Sequence, residues 1–215
     1  MIITYYDSKY NFKSILLYAF FVGSFFFWNN KEDYSNKQFL KVNKNLTIQI
    51  FLFTLSFSFF FSILPLLIYK DDTINKIGNY TNYGVLKVLL LSPLLEELIF
   101  RGSLLPFLIK KVSIKKAVVL SSLGFTIVHY LSNSNLLAVF ILAVFLGILY
   151  VKTKNIFVCF IAHSLSNIIT LIVFPFFLTL LKFKENSHYF MLITCILSFV
   201  VMILSLIKTN QEKNV

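Results

Sequence analysis

The chain has 215 residues, of which 58% are hydrophobic and only 13% charged, and it carries 26 phenylalanines. A soluble domain of this length would expose more apolar surface than water tolerates, so the composition excludes a soluble enzyme and implies helices in a bilayer. The net charge of +11 does not mark a nucleic-acid binder, because the lysines lie between apolar blocks and not on one basic face.

Seven apolar blocks follow in order: Phe12–Trp28, Leu46–Tyr69, Val85–Ile109, Ala117–Leu131, Leu136–Val151, Ile156–Leu181 and Tyr189–Ile207. Each is near the length needed to cross hydrocarbon as a helix, which predicts an all-α, polytopic bundle of about seven transmembrane helices. The first block follows an acidic residue and several tyrosines, with no small-residue cleavage site after it, and reads as a retained span. No internal repeat, low-complexity tract or separate soluble domain is evident. The expected division is N-terminal membrane helices over 1–84, a core over 85–181, and a last span with its tail over 182–215.

The lysines set an orientation. Loop 29–45, the Lys110–Lys116 loop, the Lys152–Lys154 turn and the C-terminal tail hold 12 lysines, against 7 assigned to the other side: Lys9, Lys13, Lys70, Lys76, Lys87, Lys182 and Lys184. The positive-inside rule then places the C-terminus in the cytosol. Cys159 and Cys195 fall inside apolar blocks and read as buried thiols, with no disulfide framework.

Of nine acidic residues, only Glu96 and Glu97 lie near the centre of a block, and His129 and His163 also lie inside blocks. An ionisable group at the centre of a bilayer costs about 2.5–3.5 kcal/mol on insertion scales, so such residues are expected to find one another. Glu97 and Arg101 are four apart and share a helical face, which predicts an ion pair within the helix. Glu96 is rotated by about 100° from Glu97 and is left for another task. Phe125 and His129 share one face, as do His163 and Asn167.

This set suggests hydrolysis. A buried glutamate beside an imidazole can hold and deprotonate water, and a second imidazole with a carboxamide can donate to the oxyanion of a tetrahedral intermediate. Glu96, His129, His163 and Asn167 are the candidate catalytic residues, with Glu97, Arg101 and Phe125 in support. No serine or cysteine nucleophile with a base at fixed spacing is evident, so water is the expected attacker.

The stretches "EELIFRG", "FTIVH" and "HSLSN" resemble the EExxxR, FxxxH and HxxxN motifs of the CPBP intramembrane proteases. That family includes the C-a-a-X prenyl endopeptidases and bacterial relatives linked to bacteriocin immunity. The resemblance runs from about Val85 to Phe177; the first 80 residues match none of its motifs. It implies that Glu96 and His129 activate water, that His163 and Asn167 stabilise the oxyanion, and that Glu97 and Arg101 support the site. It also implies an endopeptidase acting on a membrane-embedded, prenylated or precursor peptide, in an integral membrane protein. A composition rich in Lys, Asn, Ile and Phe favours a bacterial cell membrane.

Several alternatives stand beside that reading. Glu96, His129 and His163 could hold Zn2+ as three ligands, although the helical H-E-x-x-H pattern is absent and a metal-free route with no cofactor is the expectation. The fold could serve a non-catalytic immunity or partner-binding protein. A proton-coupled carrier would call for repeated halves, which the sequence does not display. Pro93 reads as a kink that loosens the backbone beside Glu96.

Overall fold

The computed structural model describes residues 44–69, 82–130, 135–181 and 187–211. Among these residues every regular element is helical, and they form six continuous helices. They are α1 (Lys44–Tyr69), α2 (82–109), α3 (Ile114–Tyr130), α4 (Leu136–Thr153), α5 (Ile156–Leu181) and α6 (Ser187–Gln211).

Four of the helices are long and apolar enough to cross a membrane: Lys44–Ile68, Leu136–Thr153, Ile156–Leu181 and Ser187–Thr209. The chain is an integral membrane protein. The expected count of seven is thus four among the described residues. The block Phe12–Trp28 lies outside those residues. The block Val85–Ile109 corresponds to α2, which carries Lys87, Glu96, Glu97 and Arg101 and is interrupted twice by wider turns. The block Ala117–Leu131 corresponds to α3, a helix of 17 residues that opens on Ile114, Lys115 and Lys116.

The interruptions have a chemical cause. Among the described residues three π-helical turns occur, at Lys87–Leu91 and Phe100–Leu104 in α2 and at Ile169–Val173 in α5. Each is followed, at the second residue beyond its end, by a proline: Pro93, Pro106 and Pro175. Proline brings no N–H and its ring collides with the carbonyl four residues earlier. One widened turn relieves that collision without ending the helix. Consistent with this register, the Leu105 N–H donates to Phe100 O and the Phe174 N–H to Ile169 O.

The helices fall into two compact units. The first takes its described residues from 44–89 and 161–211, the second from 90–160. In the first unit α1 lies along α6. Ile63, Phe174, Leu178 and Cys195 form its buried centre, and Phe59 stands edge-on to Phe174 and Phe177. Ser58 Oγ donates to Ser166 O at 3.1 Å, a polar clip between α1 and α5. The outer side of α6, with Ile193, Leu197 and Leu204, is exposed and suits hydrocarbon.

In the second unit α3 packs on α4. The approach is close at Gly147, where a Cβ would stand 3.0 Å from Val118 Cγ1. Phe100, Phe125 and Ala143 form the buried centre. Asn135 caps α4 by accepting from the Ala138 N–H at 3.2 Å. At the other end Lys154 adopts the left-handed conformation, with φ 50°, and its N–H donates to Tyr150 O at 2.7 Å. Asn155 then caps α5, accepting from the Phe157 N–H at 2.9 Å. The "VKTKN" stretch is therefore a helix stop followed at once by a helix start. Cys159 and Cys195 are free, buried thiols.

Candidate active site

In the second unit, α2 carries Glu96, Glu97 and Arg101, and α3 carries Phe125 and His129. Glu97 and Arg101 are almost completely buried, at 0% and 1% side-chain exposure. Arg101 Nη1 donates to Glu97 Oε1 at 3.0 Å, as their spacing along the helix permits. Its Nη2 donates to the carbonyl of Ala143, on α4, at 2.8 Å. The guanidinium carbon lies 4.8 Å from the centre of the Phe125 ring. One arginine thus ties three helices together.

Phe125 passes that order on. Its ring packs edge-on to Phe100 at 5.0 Å and stacks on the His129 imidazole at 4.4 Å, with 22° between planes. The Phe125 carbonyl accepts from His129 Nδ1 at 2.8 Å. A carbonyl can only accept, so Nδ1 carries a hydrogen. In the neutral ring Nε2 is then left with its lone pair.

Nε2 faces Glu96, whose Oε2 is 3.7 Å away. Unlike the brace, these two are partly open, with side-chain exposures of 20% for His129 and 13% for Glu96. At 3.7 Å the two atoms are beyond direct hydrogen-bond range. A neutral Nε2 and a carboxylate are both acceptors, and a water molecule with its two O–H groups suits such a pair. One oxygen atom about 2.8 Å from each would subtend an angle of about 80°, within the range for water.

His163 and Asn167 belong to the first unit, on α5. His163 is buried and Asn167 half-buried. Asn167 Nδ2 donates to the main-chain carbonyl of Val88, in the π turn of α2, at 3.0 Å. Neither the Ala143 nor the Val88 carbonyl is foreseeable from residue type, since every residue carries one. Pro93 is a usable signal for Val88, because it marks where the helix lacks an N–H.

A zinc site would need three donors. Within the second unit Glu96 and His129 supply two, and among the described residues of either unit no three His, Cys, Asp or Glu side chains gather around a common point. The residues present in each unit therefore do not make an open three-ligand zinc site, and no step is derived through one.

Residues 80–169 match the family model described as type II CAAX prenyl endopeptidase, Rce1-like. Over this segment the chain is similar to the Rce1-like CAAX prenyl endopeptidases. The matched segment contains Glu96, Glu97, Arg101, Phe125, His129, His163 and Asn167, so the similarity and the motif residues rest on the same stretch. No curated protein and no solved structure matches the chain.

Proposed function

We propose that the protein is a glutamate-dependent intramembrane endopeptidase that cuts a lipid-modified or membrane-embedded peptide. Glu96 and His129 hold the attacking water. Glu96 takes one of its protons as the oxygen bonds to the scissile carbonyl carbon, and the carbonyl π electrons move onto oxygen. His163 and Asn167 donate hydrogen bonds to that oxyanion. Collapse of the intermediate re-forms the carbonyl and breaks the C–N bond, and Glu96 returns its proton to the leaving nitrogen. Glu97, Arg101 and Phe125 keep the imidazole and the carboxylate in register. No metal or cofactor takes part.

The observation that carries this reading is the 3.7 Å approach of Glu96 to a histidine whose other nitrogen is already committed to Phe125 O. The family supports a CAAX-type substrate. On the same reading Phe12–Trp28, α2 and α3 complete seven crossings of a bacterial cell membrane, with the C-terminus in the cytosol. Cysteine labelling from either side of sealed vesicles tests that topology.

The direct test is Glu96→Gln, assayed on a farnesylated CAAX peptide in proteoliposomes. The variant keeps the wild-type melting temperature and loses roughly 100-fold or more in kcat, the scale of a general base. Undiminished cleavage by Glu96→Gln would defeat the proposal, as would activity abolished by a chelator and restored by zinc. An immunity phenotype that survives in Glu96→Gln would point to the non-catalytic, partner-binding use of this fold.

A further inference from the structure

Val88 lies five residues before Pro93, in the first of the three widened turns. In a π turn the carbonyl of residue i accepts from the N–H of residue i+5. For Val88 that residue is the proline, which has no N–H. The donor one residue earlier, the Ser92 N–H, is directed by the π register to Lys87 O, the counterpart of the bonds seen at Leu105 and Phe174. The Val88 carbonyl is thereby withheld from the main-chain ladder. It accepts instead from Asn167 Nδ2 at 3.0 Å.

The consequence falls on the carboxamide. A carboxamide has a donor end and an acceptor end that are nearly identical in shape, so an asparagine in a mixed environment can face either way. A carbonyl partner accepts and never donates, which forces Nδ2 towards Val88 and turns Oδ1 away. One amide hydrogen is used in that bond, and the second remains on the same nitrogen. An oxyanion donor needs such a fixed, donor-forward amide, because a flipped one would aim an oxygen lone pair at developing negative charge.

We propose that Pro93 is a positioning residue. By denying the helix an N–H at that point it reserves the Val88 carbonyl for Asn167 and fixes the direction of the amide. Its catalytic consequence rests on the proposed role of Asn167; its effect on the amide itself does not. Pro93→Ala supplies the missing N–H, the π turn relaxes to ordinary α register, and the Ser92 N–H takes over the Val88 carbonyl.

Two measurements separate the claims. In protein labelled with 15N-asparagine and held in nanodiscs, the Asn167 side-chain NH2 signals are assigned by their loss in Asn167→Ala. They are protected from solvent exchange in the wild type, and Pro93→Ala lowers that protection about tenfold or more. Equal protection in the two proteins, or none in the wild type, overturns the proposal. Pro93→Ser restores the N–H in a second way and decides the matter where Pro93→Ala does not fold.

With the farnesylated peptide, Pro93→Ala lowers kcat roughly 10- to 100-fold with KM unchanged, the cost of a misplaced group. Asn167→Ala lowers kcat about 100- to 1,000-fold, the cost of a lost oxyanion donor. The double variant falls within about twofold of Asn167→Ala alone, because both changes remove one function. Losses that multiply show that Pro93 acts elsewhere and overturn its positioning role. An Asn167→Ala enzyme with wild-type kcat defeats the oxyanion role instead, while the exchange data still report on Pro93.

Discussion

Arg101→Met removes the head of a nearly buried cation while keeping most of its stem. Two acceptors lose their donor at once: Glu97 Oε1, 3.0 Å from Nη1, and Ala143 O, 2.8 Å from Nη2. Breaking a buried ion pair from one side costs about 3–5 kcal/mol, since it leaves the partner charge without compensation. An unsatisfied buried carbonyl adds about 1–3 kcal/mol. At about 2–4 °C of melting temperature per kcal/mol for a chain of this size, the variant melts roughly 10–25 °C lower. Glu97→Leu together with Arg101→Met removes both charges and recovers all but the share owed to Ala143 O, leaving a deficit of about 1–3 kcal/mol. The assay is thermal and denaturant unfolding of the purified protein in mixed micelles, run on both variants beside the wild type. A single variant as stable as the wild type, or a double variant no better than the single, would refute the view that charge compensation holds this corner of the second unit together.

Phe125→Leu keeps the carbonyl that binds His129 Nδ1 but loses the ring stacked on the imidazole at 4.4 Å. A fall of about 2- to 10-fold in kcat is expected, because such a ring pair is worth about 0.5–1.5 kcal/mol, and an unchanged rate would show that the stack orients nothing. Gly147→Leu drives a side chain into Val118, whose Cγ1 is 3.0 Å from the site of its Cβ. It destabilises by about 1–3 kcal/mol in equilibrium unfolding, and Val118→Ala added to it restores part of the loss. Lys154→Gly relieves a left-handed residue at φ 50° and gains about 1 kcal/mol. The variant also gives up the approach of the Lys154 ammonium to the Tyr150 ring at 5.9 Å, and a lower melting temperature would show that this contact outweighs the backbone relief.

What could be read in advance depended on whether a feature was written in side chains. The Glu97–Arg101 pair was legible because both partners lie on one helix at a spacing that fixes their face. The approach of Glu96 to His129 was legible because an apolar helix has few polar groups to offer another. The hold of Arg101 on α4 was not, since its partner is the main chain of an alanine. The same holds for Asn167, which reads as a donor for chemistry and in the fold also grips the backbone of Val88. The block Val85–Ile109 reads as one straight rod by hydropathy, which is blind to missing N–H groups. Pro93 and Pro106 carry that information: a widened turn precedes Pro93, where the sequence predicts a kink, and another precedes Pro106, for which it predicts nothing.

The widened turns also bear on how the chain tolerates changes in length. A π turn accommodates one residue more than an α turn without ending the helix. Deleting a residue from most transmembrane helices swings everything downstream to a new side and scrambles its neighbours. Within Lys87–Leu91, Phe100–Leu104 or Ile169–Val173 the surplus residue can be surrendered with the flanking segments keeping their register, although the collision with the following proline then returns. The described residues therefore contain three built-in slack points, two of which bracket Glu96 and Glu97 along the chain.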